Sequence, residues 1–319
     1  MPQVAFVFPG QGSQYAGMGR DLRDRFDSAA RVFEAADAAL GIPLSDVMFA
    51  GKEDVSDDEA LKQTEVTQPA LFVHSMAVLE VLEEHGLLPD MAAGHSLGEY
   101  SALAAARAIS VQQGLKVVRL RGELMGRAGR ERPGSMAAVL GLGDDAVQAV
   151  CEEVNAGGEG VVQPANFNSP DQLVISGDEA AVLRASEILR ERGARRVVSL
   201  PVSGAFHSPL MEHALEGLAN ALEKLEIEPP RWPVYLNVTG RPSTDPREIR
   251  ESLLRQLTAP VLWTDTLRNM HADGAGTFYE IGAGNVLSGL VRRTLGKDVE
   301  TQPIGNAGDV EAIVQRGSR

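Results

Sequence analysis

Met91-Ala92-Ala93-Gly94-His95-Ser96-Leu97-Gly98 runs from a short apolar stretch into a serine flanked by glycines, and an alanine-rich helical segment (101–106) follows it. Strand, tight turn and helix in that order form the repeating unit of an open α/β sheet. The N-terminus has the same shape. V-A-F-V-F (4–8) is a buried strand closed by Pro9-Gly10, and a helical pattern follows through the twenties and thirties. Over 68–84, Leu71, Phe72, Met76, Leu79 and Leu82 recur at helical spacing. These segments predict an α/β domain with a mostly parallel sheet.

The middle of the chain has a different rhythm. Strand 135–142, acidic-started helix 144–154, strands 160–168 and 172–176 about the Asn168-Ser169-Pro170-Asp171 turn, helix 180–192 ended by Gly193, and strand 196–202 give β-α-β-β-α-β. That is the ferredoxin-like order. It predicts a small domain inserted into the larger one, with 130–198 in the insert and 1–129 plus 199–319 in the α/β domain. The last four residues, Arg316-Gly317-Ser318-Arg319, are expected to fray.

A chain of 319 residues buries a sizeable core without disulfides. With 44% apolar and 23% charged residues it is neither disordered, collagen-like nor a disulfide scaffold. No apolar run approaches the roughly 18–20 residues of a membrane span, and no basic, apolar leader opens the sequence. The single cysteine, Cys151, excludes an internal disulfide and a multi-cysteine metal site. The cytoplasm is the expected compartment. A net charge of −14 disfavours nucleic acid and anionic membranes as partners.

Gly94-His95-Ser96-Leu97-Gly98 matches G-x-S-x-G, the nucleophile elbow. There a serine hydroxyl is exposed on a sharp strand-to-helix turn, and the amide of the next residue, Leu97, faces a forming oxyanion. The plain alternative is a glycine-flanked turn without chemistry. A serine nucleophile needs a base. Of His74, His85, His95, His207, His213 and His271, only His207 stands in a Gly/Ser/Pro-rich loop directly after a strand, 203–209. A solvated loop histidine is the other reading of that position. Gly10-Gln11-Gly12-Ser13-Gln14 is not a dinucleotide fingerprint, because Tyr15 occupies the third glycine position. It is either an anion-binding turn or simply a tight one.

Arg121 is the most informative single residue. On a helix over 114–128, Leu115, Val117, Val118, Leu120, Leu124, Met125 and Ala128 form the apolar face, and Arg121 falls at its centre. A buried guanidinium needs an anion. Two partners fit: a core Asp or Glu of the same chain, or the carboxylate of a substrate held bidentately.

Taken together, F-P-G-Q-G-S-Q (8–14), T-Q-P-A-L (67–71), G-H-S-L-G-E-Y-S-A-L (94–103), R-L-R-G-E-L-M (119–125), N-F-N-S-P (166–170), F-H-S-P-L-M (206–211) and R-Q-L-x-x-P-V-x-W (255–263) resemble the malonyl-CoA:acyl carrier protein transacylases of type II fatty acid synthesis. The resemblance covers nearly the whole chain. It implies a hydrolase-like α/β domain with an inserted ferredoxin-like subdomain. It implies Ser96 as nucleophile, His207 as base, Gln11 and Leu97 as amide donors to the oxyanion, and Arg121 as the residue holding the malonyl carboxylate. In place of an acidic third member it implies the main-chain carbonyl of Gln256 as the group that orients His207. Asn166 and Asn168 match polar residues near the site. Phe206 resembles the malonyl-selective form, in contrast to relatives with branched substrates. Ala283 stands where the family usually has proline, a departure expected to alter a turn and not the chemistry. The implied reaction moves malonyl from malonyl-CoA to the phosphopantetheine thiol of acyl carrier protein through a malonyl-serine, with ping-pong kinetics and neither metal nor redox cofactor.

Two rivals remain at this level. A serine hydrolase shares Ser96 and His207 but has no use for Arg121 and usually gives its histidine an Asp or Glu. A non-catalytic domain on the same fold needs none of the three. The acidic carrier implied by the resemblance must find a local basic patch on a protein charged −14. Arg195-Arg196 and Arg292-Arg293 are the candidates, one pair on each domain and thus expected to flank the active-site mouth. The alternative is that all four are ordinary solvated arginines.

Overall fold

Within Gln3–Phe8 the side chains of Phe6 and Phe8 pack on one face of the strand and those of Ala5 and Val7 on the other. This is the two-residue period of a strand covered on both sides, which reads as a continuous apolar run. The computed structural model describes residues 2–51 and 55–317. Its strands are β1 (Gln3–Phe8), β2 (Met91–Gly94), β3 (Ser135–Leu140), β4 (Val162–Ser169), β5 (Gln172–Gly177), β6 (Arg196–Ser199), β7 (Val234–Tyr235), β8 (Pro242–Ser243), β9 (Ala275–Ile281) and β10 (Glu300–Ile304).

The large sheet has the order β10-β9-β1-β2-β7-β8. All its pairings are parallel except β7 with β8. β1 and β2 are in register from Ala5 opposite Met91 to Phe8 opposite Gly94, so the loops holding Gln11 and Ser96 leave the sheet side by side. Ligand crevices of parallel sheets form at these carboxyl ends. The small sheet, β4-β5-β3-β6, is antiparallel, with helices Asp144–Ala156 and Glu179–Glu191 packed on it around its own core. The fold is therefore α/β with a mainly parallel sheet and a separate antiparallel ferredoxin-like one. Val261 pairs with β4 through Phe167 and Ala165, which ties the small sheet to the loop after Arg255.

Two long helices carry the rest of the site. Thr64–Glu84 begins four residues earlier than its apolar spacing suggests and contains Pro69. Proline has no N–H to give the carbonyl four residues back. Arg119 supplies the missing donor, its Nη1 lying 3.0 Å from the Glu65 carbonyl. The partner helix, Val111–Glu131, is capped by the Ser110 hydroxyl, which accepts from the Gln113 amide. A Cβ on its Gly122 would stand 2.7 Å from the Thr64 carbonyl, so only glycine lets the two helices meet there. That close approach sets Arg121 beside Gln68.

Strands β9 and β10, which complete one side of the large sheet, were not singled out by pattern. Helix Ala307–Gly317 extends through Arg316, whose Nη1 bonds Gln302, so this part of the expected frayed end is helical. Ser318 and Arg319 lie outside the described residues.

Candidate active site

Ser96 and His207 both adopt left-handed backbone conformations, with φ of 51° and 56°. A non-glycine residue held there is strained, and such strain persists only where surrounding structure imposes it. For Ser96 the constraint is the turn after β2. A Cβ on Gly94 would stand 1.9 Å from the Gly98 carbonyl, so the chain doubles back with no room for a side chain. Asn237 braces the turn, its Oδ1 accepting from the Ser96 amide at 2.7 Å and its Nδ2 donating to the Gly94 carbonyl at 2.6 Å. For His207 the constraint comes partly from the small sheet. Gln163 Nε2 donates to the His207 carbonyl at 2.8 Å and to the Thr258 carbonyl at 3.1 Å.

Ser96 Oγ and His207 Nε2 are 2.8 Å apart, and His207 Nδ1 is 2.7 Å from the main-chain carbonyl of Gln256. A carbonyl only accepts, so Nδ1 carries the proton and Nε2 is left to accept from the serine hydroxyl. Burial, and next the adjacent Arg121 guanidinium, push His207 down to about 3 against the opposing pull of the Gln256 carbonyl. The imidazole is neutral and fit to take a proton. Gln11 and Leu97 line the same cavity of about 600 Å³ as Ser96 and His207. Neither main-chain amide donates to an acceptor among the described residues.

Arg121 is 1% exposed. Its Nη1 donates to Gln68 Oε1 at 2.8 Å, and its Nη2 donates to Gln256 Oε1 at 2.9 Å and to Ser96 Oγ at 3.1 Å. Nε has no partner, and burial lowers the pKa of the group. All its hydrogen-bond partners are neutral, and it forms no ion pair among the described residues. A core acid, the buried Glu99, acts on Arg121 only through space and through the Gln256 amide, not as a direct ion-pair partner. A buried guanidinium beside the Ser96 hydroxyl, with no carboxylate in direct contact, has the geometry to receive the carboxylate of a ligand.

The other histidines lie elsewhere or serve other contacts. His95 points away from Ser96, with Nε2 2.8 Å from Asn168 Oδ1 and its ring edge-on to Trp263. Asn166 lines the cavity with Phe206. His74 is fully buried away from the cavity, His85 and His271 bond main-chain carbonyls, and His213 lies 4.0 Å from Glu131. Sequence reasoning missed Gln68, Asn237, Gln163 and the side chain of Gln256. Gln68 lies within the quoted 67–71 motif, but nothing in its spacing marks it as a partner of Arg121.

The basic pairs do not flank the mouth. β6 starts opposite Leu140, at the end of the small sheet remote from Met136 and the cavity. There Arg195 lies 3.6 Å from Asp171, and Arg293 donates to Gln172 at 2.7 Å, so the two gather at one turn. Arg292 instead lines a separate cleft with Lys297 and Arg316.

Comparison with known proteins agrees with this arrangement. A family model described as an acyl transferase domain matches residues 5–312. The malonyl CoA-acyl carrier protein transacylase of Bacillus subtilis (strain 168) is 43% identical over 315 residues, 99% of this chain and 97% of that one. The crystal structure of an acyl carrier protein S-malonyltransferase from Vibrio cholerae superposes with a TM-score of 0.91 at 42% identity, over 98% of this chain and 99% of the other. A malonyl-transacylase in complex with its type II PKS acyl-carrier protein gives 0.92 at 39% identity, over 98% and 99%.

Proposed function

The chain belongs to the acyl transferase domain family, and from that membership and its site we propose that it is the malonyl-CoA:acyl carrier protein S-malonyltransferase of fatty acid biosynthesis. The observation that carries the reading is the placement of Arg121, buried, without a carboxylate partner, and 3.1 Å from the hydroxyl of Ser96. A substrate that puts a carboxylate on Arg121 and a reactive carbonyl on Ser96 needs the two groups close together. Malonyl, with one methylene between them, meets that requirement.

In this reading His207 takes the Ser96 proton as Oγ attacks the thioester carbonyl. The amides of Gln11 and Leu97 stabilise the oxyanion, each donor typically worth about 10²–10³ in rate. The oxyanion collapses, the C–S bond breaks, and His207 returns the proton to the departing coenzyme A thiolate. The carrier's phosphopantetheine thiol then gives its proton to His207 and attacks malonyl-Ser96, which releases the serine. Phe206 and Asn166 bound the acyl site, and the main-chain carbonyl of Gln256 keeps His207 in the right tautomer. No metal or redox step enters.

The acidic carrier docks off the mouth, on the surface of Arg195, Arg196 and Arg293 at the Asp171–Gln172 turn, with its phosphopantetheine arm spanning the distance to Ser96, and Arg292 lines a separate cleft. Residues 130–198 work as the inserted domain that helps form the cavity wall and holds the His207 loop through Gln163. No described helix is long and apolar enough to cross a membrane; the cytoplasm is the compartment that goes with this reading. Mass spectrometry after mixing with malonyl-CoA tests the assignment. A malonyl adduct on Ser96 that a carrier thiol discharges is expected. Prompt free malonate with no adduct overturns transfer in favour of hydrolysis.

A further inference from the structure

Glu99, three residues after the nucleophile and fully buried, takes no part in the chemistry above. Its Oε2 accepts from the Asn237 amide at 3.0 Å and from Gln256 Nε2 at 2.7 Å. Gln256 Nε2 also donates to the Ser96 carbonyl at 3.0 Å, while its Oε1 accepts from Arg121 Nη2. The two ends of a carboxamide are not equivalent: the nitrogen only donates and the oxygen only accepts. Two acceptors, Glu99 and the Ser96 carbonyl, therefore select one orientation of the Gln256 amide, and Glu99 makes the shorter contact. In that orientation Oε1 faces the guanidinium. In the opposite one, –NH₂ would meet the Arg121 donors.

We propose that Glu99 is a positioning residue for substrate selection, fixing the Gln256 side chain so that its oxygen holds Arg121 where a malonyl carboxylate can reach both it and Ser96. The inference rests on the reading of Arg121 given above. Glu99 touches neither the nucleophile's hydroxyl nor the base, so its loss falls on recognition of the carboxylate and not on the attack itself. Because the main-chain carbonyl of Gln256 serves His207 independently of the side chain, the two roles of Gln256 separate.

The test compares kcat/KM for Ser96 acylation by malonyl-CoA and by acetyl-CoA in wild type and in Glu99→Met, Glu99→Gln and Glu99→Asp, each checked for folding by thermal melting. Glu99→Met keeps the side-chain length but removes the acceptor. It should lower the malonyl-to-acetyl ratio by about tenfold or more, through a raised KM for malonyl-CoA, the scale of a lost hydrogen bond to a charged group. Glu99→Gln keeps a carbonyl for both donors and should hold the ratio to within about threefold. An unchanged ratio in Glu99→Met overturns the proposal, as does a loss in Glu99→Gln equal to that in Glu99→Met. If Glu99→Met does not fold, Glu99→Asp decides: it keeps the charge but falls short of the Gln256 amide, so its ratio must drop, and an unchanged ratio overturns the proposal. Wild type that never malonylates Ser96 defeats the functional reading itself, and the inference with it. Normal wild-type transfer with unmoved variant ratios defeats the inference alone.

Discussion

The proton on His207 Nδ1 is held by the main-chain carbonyl of Gln256, 2.7 Å away, and not by a carboxylate. A neutral carbonyl orients the ring as a carboxylate does, but it stabilises the imidazolium less. Beside it, the Arg121 guanidinium disfavours a second positive charge. His207 thus stays neutral while the adjacent Arg121 carries the charge.

A pH dependence follows from that balance. The folded value of His207 lies far below the ordinary 6.5, so the neutral base persists as pH falls through that range. The rate at which Ser96 reacts with a neutral sulfonyl fluoride should be flat from about pH 8 to about pH 5.5. In Arg121→Met the acid limb should move upward, since a positive charge has gone. An inflection near the unperturbed histidine value in wild type would contradict the assignment of His207 as the buried base.

Arg121→Ala should cut malonyl transfer by at least about a hundredfold, the scale of an unpaired buried carboxylate. It should spare or raise acetyl transfer, since it leaves an apolar pocket next to an intact Ser96 and His207. Steady-state kinetics with both thioesters measure this. Equal losses for both substrates would make Arg121 structural.

His74 makes a prediction about stability alone. It is fully buried, and burial lowers it to about 4 against the opposing pull of Asp21 and the Gly305 main chain. In the unfolded chain it protonates near 6.5, so between about pH 6.5 and about pH 4 the unfolded state binds a proton that the native state refuses. Stability from this group is therefore full above that window and is lost as pH falls through it. Between about pH 7.5 and about pH 5 its share is about 2 kcal/mol. Urea unfolding at both values should show His74→Leu losing less stability on acidification than wild type by about that amount. Parallel losses would show that His74 is not held neutral.

For carrier docking, reversing Arg195, Arg196 and Arg293 to glutamate should raise the KM for the carrier protein and leave malonylation of Ser96 by malonyl-CoA nearly unchanged. Reversing Arg292 alone should do little, because it lines the separate cleft with Lys297 and Arg316. Added salt should weaken the wild-type carrier reaction more than that of the triple variant. Unchanged carrier kinetics at low salt would place docking elsewhere.

The elbow at Gly94–Gly98, the two kinds of sheet and the anomaly of Arg121 were all legible in the sequence, because each is a local pattern. A strand-turn-helix, a βαββαβ order and a charge on an apolar face are properties of neighbours along the chain. The partners of Arg121 were not legible. Gln68 lies 53 residues before it and Gln256 135 residues after it. Glutamines have no periodicity that reveals such a meeting, and the contact with Gln68 depends on Gly122 letting two helices touch. The short strands β7 and β8 and the brace from Asn237 were equally silent, since two residues carry no pattern. So too was the convergence of Arg195 and Arg293, which depends on how the small sheet lies against the last turn of helix Val286–Leu295. Sequence by itself marked an elbow serine, a loop histidine and an arginine on an apolar face as candidates, because each is a local pattern, and the family resemblance gave them roles. Only the tertiary structure decided that the buried arginine is held by neutral side chains, with Glu99 behind Gln256, because that depends on which distant groups folding brings within a few ångströms of it.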